Sequence, residues 1–131
     1  MSRLVLIVED SETCAETLQI ALELIEGLEV RVVRSPRAAI ATLSDSGIAA
    51  IITDLHMPQS DGLDLIRQLR AEPRFAALPI LLISGDSDPS LPARALSNGA
   101  DAFFAKPYSP AAVRRKLEQL LCTKVPCSNP S

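Results

Sequence analysis

Leu4-Val5-Leu6-Ile7-Val8, followed at once by Glu9-Asp10, is an unbroken apolar run that stops on two acids. A strand with one face in water alternates apolar with polar residues, whereas a strand covered on both faces reads as continuously apolar. Four further short runs follow, at 30–33, 49–52, 79–83 and 102–105, partly β-branched and bounded by Gly, Pro, Ser or Asp. Between them the apolar period becomes helical: Cys14, Leu18, Ala21, Leu22 and Ile25 share one face, as do Val113, Leu117, Leu120 and Leu121. Five strands alternating with five helices predict an α/β domain with a parallel sheet covered on both sides.

The punctuation agrees with this order. Ser35-Pro36 and Ser109-Pro110 each place a capping hydroxyl before a proline at a first helical position, and Asn98-Gly99 marks a helix end. Leu63, Ile66 and Leu69 predict a third helix over 63–71, ending before Pro73. Pro89 and Pro92 cannot both open the fourth helix, which is therefore expected to begin late, near Pro92, after an irregular segment at 88–91. Residues 1–122 are expected to form the domain, and 123–131 a flexible tail or the stump of a linker.

Composition narrows the function classes. The 131 residues suit a single domain, and 47% apolar with 22% charged residues is ordinary for a globular chain. The net charge of -3 offers no basic stripe for nucleic acid, and Arg114, Arg115 and Lys116 read as a solvated helix face. Three cysteines, Cys14, Cys122 and Cys127, argue against a disulfide framework, and with one histidine a zinc site is hard to complete. No apolar stretch approaches the roughly 20 residues that span a bilayer, and no cleavage site follows Met1-Ser2-Arg3, so the expected compartment is the cytoplasm.

In parallel sheets ligands gather at the carboxyl ends of strands. Just past those ends stand Glu9-Asp10, Asp54, Ser84-Gly85 and Lys106-Pro107. A flavodoxin-like strand order would make the first and third strands neighbours and bring Glu9, Asp10 and Asp54 into one pocket. Two like charges about 4 Å apart repel by roughly 4 kcal/mol at an effective dielectric of about 20, so such a cluster protonates or recruits a cation. Three carboxylates against the Lys106 ammonium leave two negative charges, which one Mg²⁺ or Mn²⁺ ion with oxygen ligands would cancel. A carboxylate so placed can attack a phosphoryl group, with Ser84 donating its hydroxyl to a phosphoryl oxygen and Gly85 leaving room for it. Each feature also has a plain reading: Asp10 as a helix N-cap, Ser84-Gly85 as a turn, Lys106-Pro107 as a loop. Their joint occurrence at four strand ends favours chemistry.

The segment from Asp54 through Met57-Pro58 to Asp61-Gly62, with Val8-Glu9-Asp10, Ser84-Gly85 and Lys106-Pro107, resembles the receiver domain of bacterial two-component response regulators over about 3–121. That resemblance implies a flavodoxin-like (βα)5 fold with strand order 2-1-3-4-5. It also implies that Asp54 is the phosphoacceptor, that Asp10 and Asp54 ligate Mg²⁺ directly, that Glu9 acts through water, and that the His56 backbone carbonyl is a further ligand. By the same resemblance Lys106 pairs with the phosphoryl group, Ser84 is the switch hydroxyl, Phe103 the aromatic that reports the state, and Lys106-Pro107 a cis peptide. His56 and Asp86, two beyond acceptor and switch, would tune dephosphorylation.

The implied function is a signalling domain that catalyses only its own phosphorylation and dephosphorylation. It would take phosphate from a sensor histidine kinase or phosphotransfer protein, or from small phosphodonors, and pass the change to an effector that the sequence does not name. No effector region is recognised after Leu121. A phosphohydrolase forming an aspartyl phosphate would want a second acid where His56 stands. A flavin module would want a hydroxyl-rich loop in place of Glu9-Asp10, and a pseudo-receiver would not need the acid, hydroxyl and lysine together.

Overall fold

A computed structural model of the chain describes residues 3–43, 47–57 and 60–124. Five strands form one parallel sheet: β1 (Arg3–Val8), β2 (Leu28–Val33), β3 (Ile48–Asp54), β4 (Ile80–Ser84) and β5 (Ala102–Ala105), in the order β2-β1-β3-β4-β5. The helices between and after them are α1 (Glu12–Leu22), α2 (Pro36–Leu43), α3 (Gly62–Ala71), α4 (Leu91–Ser97) and α5 (Pro110–Lys124). This is the flavodoxin-like order expected from the sequence.

The apolar runs are continuous because each strand feeds two cores. Leu6 and Val8 of β1 and Ile80 and Leu82 of β4 pack with α2, α3 and α4 on one face. Their alternates Val5, Ile7, Leu81 and Ile83 pack with Leu18 and Leu22 of α1 and Val113 and Leu117 of α5 on the other. Among the described residues, large side chains from both faces, such as Leu6, Ile7, Leu18, Ile66, Leu82 and Leu117, are essentially sealed from solvent, each removal from water being worth about 1.5–3 kcal/mol.

The helix signals act as anticipated at three points and differ at others. Ser35 accepts the Ala38 N–H at 3.1 Å and Ser109 the Ala112 N–H at 3.2 Å, and Gly99 leaves α4 with φ +115°. The cap of α1, however, is Ser11, whose hydroxyl accepts the Cys14 N–H; Asp10, one residue earlier, is left exposed and does not cap. The fourth helix opens at Leu91 with Pro92 inside its first turn, one residue ahead of the proline, and its start carries no side-chain cap. A short 3₁₀ turn at Pro73–Phe75, not anticipated, follows α3. The final helix extends to Lys124, two residues into the expected tail; 125–131, with Cys127, and Pro58-Gln59 of the quoted motif lie outside the described residues.

At the end of the sheet remote from the acids, Arg70 of α3 gathers the chain. Its guanidinium donates to the Gly99 carbonyl at 2.8 and 3.0 Å and to the Phe75 carbonyl at 2.8 Å, and it meets Asp101 at 3.1 Å. Asp101 in turn accepts the Ile80 N–H at 2.9 Å. Removing a guanidinium from a largely enclosed network leaves several acceptors unpaired, so Arg70→Ala should lower unfolding free energy by about 2–4 kcal/mol. Urea denaturation checks this; a loss below about 0.5 kcal/mol would place Arg70 among ordinary surface residues.

Candidate functional site

The β1, β3 and β5 ends converge on a single ammonium group. Lys106 Nζ lies 3.1 Å from Glu9 Oε1 and 2.8 Å from Asp54 Oδ2. Glu9 is 1% exposed and Asp54 6%, so both carboxylates are held nearly out of water. Asp10 is exposed, yet one carboxylate oxygen from each of Glu9, Asp10 and Asp54 lies within 4.8 Å of the others. The register explains the convergence: β1 and β3 pair as far as Val8 opposite Thr53, so the residues just beyond come out side by side.

The remaining sequence-predicted residues sit around this centre. Ser84 ends β4, is fully buried, and accepts the Asp86 N–H at 2.9 Å. Phe103 lies opposite Leu82, two pairs before Ser84 opposite Ala105, and so on the same sheet face as Ser84 because side chains alternate; it is half-buried against the core under α3 and α4. The Lys106–Pro107 peptide is cis. Asp54 Oδ1 accepts the His56 N–H at 3.3 Å, and Glu9 Oε2 accepts the Ser11 N–H at 3.1 Å. His56 and Asp86, expected as separate flanking residues, are bonded to each other: His56 Nε2 is 3.0 Å from Asp86 Oδ2, which ties the loop after β3 to the loop after β4 on the solvent side.

Protonation follows from these contacts. Burial, and then hydrogen bonding with the Asp54 carboxyl, holds Glu9 above its ordinary value, only partly offset by the Ser11 N–H and Lys106. Burial alone would push Lys106 down, but its hydrogen bonds to Asp54 and Glu9 outweigh this and the net shift is upward. The ammonium therefore stays charged throughout the physiological range. Asp86 is lowered, first by the Asp88 N–H that it accepts and then by His56.

Beside Lys106 opens a hollow of about 410 Å³, mainly apolar, lined by Thr13, Cys14, Thr17, Pro107, Tyr108 and Pro110. Cys14, assigned to a helical core stripe by its period, is only half-buried and faces this hollow. Burial pushes the Tyr108 phenol up to about 12. Two features were not read from the sequence: the bridge between His56 and Asp86, and Thr53, a buried hydroxyl next to Asp54. A lone hydroxyl closing an otherwise apolar strand was the available signal for Thr53.

The donor set at the acid cluster is all carboxylate oxygen, close together and partly open to solvent through Asp10, which suits a hard divalent cation and not a soft one. The arrangement can hold such an ion, fix the position of one carboxylate by a neighbouring ammonium, and present it to an electrophile with anionic oxygens.

Residues 5–118 match the sequence model described as the response regulator receiver domain. The chemotaxis protein CheY1 of Helicobacter pylori is 37% identical over 73 residues, covering 56% of this chain and 59% of that protein. The transcriptional regulatory protein GltR of Pseudomonas aeruginosa is 30% identical over 119 residues, covering 91% of this chain and 49% of that protein. Among solved structures, the signal receiver domain of a signal transduction histidine kinase from Syntrophus aciditrophicus superposes with TM-score 0.85 at 35% identity, covering 99% of this chain and 97% of that one. The chain spans less than two thirds of the length of these two curated relatives.

The raised proton affinity of Glu9 sets a pH dependence. A folded-state value above the ordinary 4.5 gives stability that is fully present below 4.5 and is lost as pH rises through the folded value. Glu9→Gln lacks this titration. In chelator, its melting temperature relative to wild type should therefore climb as pH rises above about 4.5 and level off once Glu9 is ionised in the folded protein; a constant difference would show that Glu9 does not titrate abnormally.

Proposed function

The chain belongs to the response regulator receiver domain family, and from that premise we propose that Asp54 accepts a phosphoryl group from a phosphohistidine and thereby switches the surface around it. The observation that carries this reading is the buried Asp54 carboxylate bonded to Lys106 beside Glu9 and Asp10. In the transfer, a carboxylate oxygen of Asp54 forms a bond to phosphorus while the bond from phosphorus to the donor histidine nitrogen breaks, leaving an acyl phosphate on this chain and a free imidazole on the donor.

Asp10, Asp54 and the backbone carbonyl of His56 would hold Mg²⁺ directly, with Glu9 acting through water; Mn²⁺ suits the same oxygen donors. When bound, the ion supplies positive charge that offsets the carboxylates and the phosphoryl oxygens. Lys106 is already oriented by two carboxylates and needs only a small shift to pair with a phosphoryl oxygen. Ser84 now accepts a backbone N–H; in the phosphorylated state its hydroxyl turns to donate to the phosphoryl group. Phe103, diagonal to Ser84 on the same face, then moves into the space vacated, and the face formed by α4, β5 and α5 shifts between two packings.

On this reading the domain is a switch and not a turnover enzyme. Its donor is a sensor histidine kinase or phosphotransfer protein, or a small phosphodonor, in the cytoplasm, and its output passes to an effector domain or protein without direct contact of this chain with nucleic acid. Residues 1–122 constitute the receiver, its last helix running on to Lys124, with the segment beyond as tail or linker.

Incubation with acetyl phosphate and Mg²⁺ should add one phosphoryl mass to the wild-type chain and none to Asp54→Asn, with the adduct suppressed by chelator; intact-mass spectrometry reads both. An equal adduct on the two proteins would refute the assignment of Asp54. The bridge between His56 and Asp86 restricts the approach of water from the solvent side, so His56→Ala and Asp86→Ala should each shorten the adduct's lifetime. Because they break one interaction, the double variant should match the single ones, with a coupling of about 0.5 kcal/mol or more, measured by loss of adduct over time. Additive effects would mean that the two residues act separately.

A further inference from the structure

Four polar or charged side chains of the described residues are buried: Glu9, Asp54, Ser84 and Thr53. The phosphoacceptor reading gives the first three a part in binding or transfer. Thr53 has none, although its side chain is fully enclosed on the same sheet face as Leu82 and Val8, where a valine would satisfy the packing. A hydroxyl persists in such a place only if it is bonded. Thr53 Oγ1 donates to the backbone carbonyl of Asp54 at 3.0 Å.

That carbonyl needs a partner because the ladder between β1 and β3 ends one residue earlier, at Val8 opposite Thr53. The other end of the same peptide group, the Leu55 N–H, donates to the Ile83 carbonyl at 2.9 Å. A peptide unit is planar, so a partner at each end fixes the rotation of the whole group about Asp54. Gly62 closes the third side: a Cβ on it would run into the Asp54 carbonyl oxygen and lie 3.1 Å from Leu55 Cα, while the Gly62 N–H donates to the Leu55 carbonyl at 2.7 Å. The His56 N–H that reaches Asp54 Oδ1 hangs from this fixed unit.

We propose that Thr53 is a positioning residue for phosphoryl acceptance: its hydroxyl, opposed by Gly62, locks the Asp54–Leu55 peptide plane and so aims the Asp54 carboxylate at the incoming phosphorus. The inference rests on the reading of Asp54 as acceptor. Without the hydroxyl the plane is pinned from the β4 side alone, the carbonyl is left unsatisfied, and the carboxylate samples orientations unsuited to attack. Transfer rates are sensitive to such misplacement.

The experiment compares wild type with Thr53→Val and Thr53→Ser, following adduct formation from acetyl phosphate at saturating Mg²⁺ and well below the melting temperature of each protein, and titrating each with Mg²⁺ alone by calorimetry. Thr53→Val should form adduct about tenfold more slowly, and Thr53→Ser, which keeps the donor, within about twofold of wild type. Thr53→Ala removes the same donor from a smaller side chain, so the inference stays open to refutation if the valine variant does not fold; it too should be slow. A stabilising role alone would lower the melting temperature of the valine and alanine variants and leave their rates below melting at the wild-type level, which would overturn the proposal. A serine variant as slow as valine would overturn it as well. If the wild-type chain takes up no phosphate while still binding Mg²⁺, the acceptor reading itself fails and this inference falls with it; if wild type reacts and valine keeps pace, only the positioning role is lost.

Discussion

Lys106 Nζ stands between Glu9 Oε1 and Asp54 Oδ2, so one ammonium group on the loop after β5 holds the ends of β1 and β3 in place. The contact spans 97 residues of chain to Glu9 and 52 to Asp54, and no local propensity could produce it. It is also incomplete. Two enclosed carboxylates face one cation, with Asp10 close by, and burial, followed by the hydrogen bond with the Asp54 carboxyl, makes Glu9 hold its proton more tightly than a free glutamate. A fold that buried these acids for stability alone would have paired each of them; replacing buried ion pairs by apolar residues is often neutral or stabilising. On the proposed reading, a divalent cation would offset this imbalance before the phosphoryl group arrives.

Most of the fold was legible because the sheet has two covered faces and five short strands, a combination with few sequence disguises. Val5 and Ile7 serve one core while Leu6 and Val8 serve the other, and a run that is apolar at every position follows directly. Boundaries were less legible where two residues compete for one role. Asp10 and Ser11 both suit an N-cap, and the choice fell to Ser11, leaving the Asp10 carboxylate beside the other acids. The start of α4 depended on two prolines, and it falls at Leu91, next to the Pro92 expected from the sequence.

That the acids and Lys106 come together, with Ser84 at a neighbouring strand end, was legible in the sequence because each stands at or just past the carboxyl end of a strand, where the architecture concentrates ligands. What escaped were interactions whose meaning is set by geometry across strands. The bridge from His56 to Asp86 joins residues 30 apart, and neither has a neighbour in sequence that announces it. Thr53 fits a β-strand by its branching as well as valine does, so its lone hydroxyl was a faint signal, easily passed over. Only the position where the ladder between β1 and β3 stops turns that hydroxyl into the partner of a stranded carbonyl.

The fastening of α4 is uneven. Its carboxyl end is bound to α3 by Arg67 with Asn98 and by Arg70 with the Gly99 carbonyl, both reaching about 30 residues along the chain. The approach to its amino end is held mainly by short-range bonds, Asp86 to Asp88, Asp88 to Ser90 and Asp88 to Arg94. The amino end is seated instead by Leu91, sealed in the core under the sheet. Long-range polar fastening thus holds one end of α4 and apolar packing the other, so a substitution at Arg67 or Arg70 and one at Leu91 would loosen opposite ends of the same helix.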